Sequence, residues 1–369
     1  MRHGLELLRR GTRRRSASSS QEPTPILDLH RHLEGSLRLE TLWEFHEAQG
    51  QRRHPSLESL RRALVVPPGE CPGFPGFLSR FDALRFRYGG LKEIERLGRE
   101  AVEDAALDGV IHLELRFSPV FLARRMREQP EGDPWAAPPP PFEELEAAAE
   151  ALVRGADDEA ARRGIGLAFI LCLNRAGGLA LNRPAAGLLR RPIGQRLAAV
   201  DVAGDESIPL DEVAPLLAEW REAGKTLTLH AGEDPRGDGA ARVREAVLVH
   251  GATRIGHGIR AGEDAETLAL LRDRGTVLET CLTSNVQTGA TASYETHPIG
   301  RLLSAGVRAT LNSDDPTLSG IRLSDDYERA VSRAGLSKED LRQAVLNAVD
   351  GALTGEAQRS VLRRRCRTL

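Results

Sequence analysis

Eight short runs rich in β-branched and aliphatic residues recur along this chain, with stretches of helical pattern between them. They are residues 26–32, 111–117, 166–173, 199–204, 226–232, 253–258, 277–281 and 308–314. Most are nearly continuous in apolar residues, as expected for parallel strands covered by helices. Residues 142–163 begin acidic and end basic, which suits a helix dipole. Residues 210–223, 242–249, 265–274 and 298–304 are shorter helical patterns. At 369 residues and 40% hydrophobic content, the chain can bury a large core. Eight strand–helix alternations in that length predict an α/β fold, a (β/α)8 TIM barrel.

Three segments depart from the repeat. Residues 38–105 show helical patterns at 39–50, 57–64, 76–88 and 91–106, which predicts a helical cap inserted between strands 1 and 2. Residues 119–141, closed by the prolines at 138–141, predict an extended loop. Residues 1–24 are polar, and the first twenty hold six arginines against Glu6 alone. They predict a disordered, dispensable basic tail ahead of a single domain at 25–369. Residues 325–366 read as closing helices.

Composition excludes several classes. A net charge of −2 gives no global case for nucleic acid. No apolar run approaches the ~20 residues that span a bilayer. The four cysteines are far apart and form no CxxC, so they predict free thiols in a reducing, cytoplasmic setting.

The chemistry-bearing motifs end strands one, five, six and eight: His30-Arg31-His32, His230-Ala231-Gly232-Glu233, Gly256-His257-Gly258 and Ser313-Asp314-Asp315-Pro316. That is the face on which such barrels carry their chemistry. His30 and His32 are two apart on a strand, so their imidazoles share a face. With His230 and Asp314 they form a set that suits Zn²⁺ or another borderline divalent metal. An open position would hold a water whose pKa the metal lowers towards ~7. The strand-three and strand-four runs end without a lysine to bridge a second metal, and Lys225 precedes strand five, so one ion is expected.

Glu233 can sit beside the metal without ligating it. Partly desolvated there, its carboxyl would have a raised pKa and could pass a proton to a ring nitrogen. The alternative is a solvated loop acid. His257, between two glycines, suits a partner that hydrogen-bonds and orients the attacking water; the alternative is a structural His in a tight turn. Asp314 suits both metal ligation and acceptance of the water's proton. Asp315 is then free for substrate, against the alternative of a helix N-cap before Pro316.

The chain resembles the adenosine deaminase family over roughly residues 25–350. The strings that carry the resemblance are LDLHRHLEGSL (27–37), LELRFSP (113–119), VDVAGDE (200–206), HAGE (230–233), IGHG (255–258), CLTSNVQTGA (281–290), HP (297–298) and LNSDDP (311–316). The resemblance implies hydrolysis of the C–N bond of a 6-aminopurine with loss of ammonia. It implies His30, His32, His230 and Asp314 as zinc ligands, Glu233 as the acid at purine N1, and His257 beside the hydroxide. It implies Gly204 as a backbone contact to the purine and Asp315 as the partner of N7. One position departs from the nucleoside enzymes, which carry Asp where this chain has Glu34 beside the ribose; Ser313 for Thr is a milder change. The expectation is an adenosine and 2′-deoxyadenosine deaminase in purine metabolism, with one zinc, a small-molecule purine substrate, no nucleic acid and no membrane. Aminodeoxyfutalosine and adenine deaminases are the alternatives within the resemblance. A non-catalytic binding homologue is the alternative of another class.

Overall fold

The computed structural model describes residues 25–127 and 137–366. The basic tail expected at residues 1–24 lies outside the described residues. Eight parallel strands run in sequence order around one sheet: β1 (Ile26–His32), β2 (Val110–Phe117), β3 (Gly166–Asn174), β4 (Leu197–Ala203), β5 (Thr226–Ala231), β6 (Arg254–His257), β7 (Val277–Thr280) and β8 (Arg308–Leu311). Each pairs with the next in parallel. The seam between β8 and β1 is closed more sparsely. There the His32 N–H donates to the Asp314 carbonyl, and the Asp314 N–H to the His30 carbonyl, both at 2.8 Å. Below them the Leu29 N–H donates to Asn312 Oδ1 at 2.9 Å. The result is a (β/α)8 TIM barrel whose strands are buried almost throughout, as parallel strands under a helical coat must be.

Between β1 and β2 lie α1 (Leu39–Ala48), α2 (Leu57–Leu64), α3 (Gly73–Ser79) and α4 (Leu91–Leu107). The helical insertion is therefore present, with one correction. The helix expected at 76–88 starts earlier and breaks sooner: α3 ends at Ser79 and a 3-10 turn covers Arg80–Leu84. A second correction concerns residues 119–141. Their first part is α5 (Pro119–Arg125), not loop, because Ser118 accepts the Phe121 N–H at 3.2 Å and Pro119 occupies the first helical position. Helix α6 (Phe142–Arg163) ends on Gly164 in the left-handed region, as a helix stop requires.

Further helices cover the later strands, among them α7 (Gly178–Ala186), α8 (Ala214–Glu222), α9 (Gly239–Leu248), α10 (Ala265–Arg274), α11 (Leu282–Gln287) and α12 (Ile299–Ser304). Most of residues 325–366 lies in three closing helices, Leu323–Ser332, Lys338–Gly351 and Glu356–Arg365. All four cysteines are free. Among the described residues, no helix is long and apolar enough to cross a membrane.

Candidate active site

Every motif singled out in the sequence reaches one place, the carboxyl end of the barrel. The Nε2 atoms of His32 and His230 face each other at 3.3 Å. Asp314 Oδ1 lies 3.4 Å from His30 Nε2 and 3.5 Å from His32 Nε2. Two ring orientations are fixed from behind. His30 Nδ1 donates to Glu279 at 2.7 Å, and His230 Nδ1 donates to Asp201 at 3.0 Å. Each bond leaves the Nε2 lone pair pointing inward, the arrangement that ligating histidines use. His30 Nε2 is buried without a hydrogen-bond partner. Ligand atoms of His30, His230, His257 and Asp314 lie within 4.8 Å of one another, and so do those of His32, Asp201 and His230. Buried imidazoles, an inward lone pair without a partner and one carboxylate fit a borderline divalent cation.

Glu233 and His257 stand against this cluster, with His257 Nε2 at 3.3 Å from Glu233 Oε2 and 3.8 Å from Asp314 Oδ2. Burial, and then the neighbouring charges of Asp314 and Glu206, hold the Glu233 carboxyl well above the usual range. Burial acts the same way on Asp314, yet the imidazoles of His257 and His30 keep it well below the usual range. Within one site, burial and like charge thus push one carboxyl up while the imidazoles pull the other down. Glu233 is therefore not a solvated loop acid; it is 5% exposed.

Asp315 does not cap a helix with its side chain. Its Oδ1 has no partner, it faces the cavity, and burial together with Asp314 raises its pKa. Gly35 makes room for it, since a Cβ at 35 would meet Asp315 Oδ1 at 1.8 Å. Glu34 is buried, accepts the Ser118 N–H at 2.8 Å, and is pushed up to about 7 by burial. Gly204, at φ 104°, lies on the cavity wall. His257 and Asp314 are the non-glycine residues with positive φ among those described, at 60° and 59°. Such strain concentrates at functional sites.

The cavity above the cluster measures about 280 Å³. Its floor is His32, His230, Glu233, His257, Asp314 and Asp315. Its walls are apolar, from Phe74, Phe77 and Leu78 of the cap and Val120 and Phe121 of α5. Arg85, Arg124 and Arg125 also line it.

A family model described as adenosine deaminase matches residues 25–368. The chain belongs to the adenosine deaminase family. It is 34% identical over 342 residues to an adenosine deaminase of Aliivibrio fischeri, covering 92% of this chain and 96% of that one. An adenine deaminase of Arthrobacter aurescens has the same fold, with a TM-score of 0.80, 24% identity and coverage of 93% and 98%. So does an amidohydrolase of Burkholderia ambifaria with bound zinc, at a TM-score of 0.79, 24% identity and coverage of 93% and 89%. Like the rest of the adenosine deaminase family, the protein is a hydrolase acting on C–N bonds.

Sequence reasoning missed the residues that stand behind this family's site. Arg116 donates to Asp201 at 2.7 Å and to Glu279 at 2.6 Å, joining the carboxylates that orient His230 and His30. Glu206 accepts the Gly232 and Glu233 amides at 2.9 and 3.0 Å and so shapes the loop after β5. Asn285 contacts His257 Nδ1 at 3.0 Å. The signal was present as acids within or beside apolar runs, at Asp201 and Glu279. A charge there must be paired to be tolerated.

Proposed function

We propose that this protein hydrolytically deaminates a 6-aminopurine nucleoside, with adenosine or 2′-deoxyadenosine as the nucleoside core, giving the 6-oxopurine and ammonia. The observation that carries the reading is the placing of two buried acids on the floor of one apolar cavity, the Glu233 carboxyl held well above the usual range and Asp314 well below it. A flat heteroaromatic ring suits such walls, and its reacting edge would lie between an acid and a base.

His30, His32, His230 and Asp314 would hold one ion, for which zinc is the proposed identity. When bound, it supplies Lewis acidity that lowers the pKa of the attacking water. Asp314 accepts that water's proton as its oxygen adds to C6. Glu233 delivers its proton to N1, so that charge does not build on the ring. His257 holds the water's oxygen in line. Asp315, kept protonated, donates to N7, and the Gly204 backbone meets the purine edge. Asp314 returns its proton to the amino nitrogen, the C6–N bond breaks and ammonia leaves, and the C6 hydroxyl proton passes to Glu233, which leaves the 6-oxopurine and both acids as they began. Glu34 faces the sugar and sets which substituent on N9 is accepted.

The test is ammonia release by zinc-loaded protein, comparing adenosine, 2′-deoxyadenosine, adenine and aminodeoxyfutalosine by kcat/KM. Preference for a nucleoside supports the reading and makes Glu34 a tolerated variant at the ribose. Preference for adenine or aminodeoxyfutalosine keeps the chemistry and makes Glu34 the mark of another substrate. Release from none, with the metal bound, leaves a non-catalytic homologue.

A further inference from the structure

Asn285 and His297 fall in the strings CLTSNVQTGA and HP, where the sequence gives neither a role. In the structure their side chains stand end to end behind His257. The order of donors along this row is fixed by a backbone amide. The Ile299 N–H lies 3.2 Å from His297 Nδ1. A backbone amide only donates, so that nitrogen accepts, and the neutral ring carries its proton on Nε2. His297 Nε2 then donates to Asn285 Oδ1 at 3.1 Å. The Cys281 amide points at the same oxygen from 3.3 Å. Two donors aimed at one atom identify it as the carbonyl oxygen and fix the orientation of the amide. Its nitrogen therefore faces His257 Nδ1, at 3.0 Å. An amide nitrogen has no lone pair to offer, so it donates and His257 Nδ1 accepts. The row is buried, with His257, Asn285 and His297 exposed by 1%, 0% and 5%. Burial also keeps His297 neutral, pushing its pKa down to about 3.

We propose that Asn285 and His297 are positioning residues that set the tautomer of His257, placing its single proton on Nε2, towards the cavity. The catalytic part of this inference rests on the deaminase reading; the tautomer itself does not. A His257 held this way donates to the attacking water and takes no proton from it, which leaves Asp314 as the base. It also offers no lone pair to a cation. His257 therefore stands outside the ligand set, although its position alone would admit it. His30 and His230 are held the opposite way, with Nδ1 donating to a carboxylate and Nε2 turned inward.

The first test is nitrogen NMR of zinc-loaded, full-length protein labelled with ¹⁵N-histidine, the His257 signals being assigned by comparison with His257→Gln. The expected spectrum has the His257 proton on Nε2. A proton on Nδ1 in the unaltered protein overturns the proposal. The second test is kinetic. Asn285→Asp presents a carboxylate to Nδ1 and draws a proton there. A wrong tautomer costs about 10⁴ in kcat in a Ser-His-Asp triad, and a loss of about 10²- to 10⁴-fold is expected here, with KM little changed. His297→Gln retains one acceptor and one donor and should keep kcat within about tenfold, whereas His297→Leu should fall with Asn285→Asp. Parental kcat in Asn285→Asp overturns the positioning role. If no protein in the set releases ammonia, the deaminase reading falls, and the spectrum still decides the tautomer.

Discussion

Glu233 and Glu34 share one cavity, and burial keeps both carboxyls protonated to higher pH than usual, for different ends. Glu233→Gln removes the transferable proton and preserves shape. It should keep its metal and lose about 10²- to 10⁴-fold in kcat; turnover near that of the parent would remove Glu233 from the mechanism. Glu34 makes a claim on stability. Its folded pKa of about 7 exceeds the ordinary value of 4.5. The folded state then binds the proton more tightly than the unfolded chain. Stability from this group is present in full below pH 4.5 and is lost as pH rises towards 7. At about 1.4 kcal/mol per unit, the loss is roughly 3 kcal/mol, an order-of-magnitude figure. Glu34→Gln should therefore match the parent in urea unfolding near pH 4.5 and exceed it at pH 8. Equal stability at both would show that water reaches the carboxylate. These acids were legible because they follow metal-type histidines at short spacing. Asn285 and His297 were not, since their role depends on which atoms face each other across twelve residues of chain.

Helices α4 and α6 show what a pattern of apolar spacing leaves out. The sequence located both, and α6 to the residue, because apolar stripes, and in α6 an acidic start and a basic end, are local signals. It did not show how closely they lie. Gly98 of α4 and Gly155 of α6 stand where a Cβ would meet Leu152 O at 2.4 Å and Glu95 O at 2.0 Å. A glycine inside a helix reads as a weakness until a second backbone is seen against it. Gly155→Ala should cost about 1–3 kcal/mol through overpacking, despite the better helix propensity of Ala. A midpoint in urea at or above that of the parent would refute the close contact. The same limit explains α5. Residues 119–125 carry a Ser cap and a Pro start, yet the proline run beyond them hid that signal.

Across the whole molecule, the barrel interior carries a connected set of charges in place of a purely apolar core. Arg116 joins Asp201 to Glu279, and Arg254 joins Glu279 to Glu114, all of them buried. The set links β2, β4, β6 and β7 and ends on two of the site histidines. Arg116→Met would leave two buried carboxylates short of a partner. It should destabilise by about 3–5 kcal/mol and weaken metal binding about 10- to 100-fold; unchanged metal affinity would show that the histidines orient themselves. The barrel was legible in the sequence from eight apolar runs, whereas this interior was not, since pairing inside a barrel joins residues far apart in the chain. The seam between β8 and β1 has one more consequence. His30 and His32 lie on its one side and Asp314 on the other, where the ladder is reduced to a few bonds. An ion held by all three would fasten the two ends of the sheet together as a clasp. Stripping the protein with a chelator should then speed amide hydrogen exchange at residues 26–32 and 308–314 well ahead of β3 and β4. An even rise around the barrel would mean that the ring closes without the clasp.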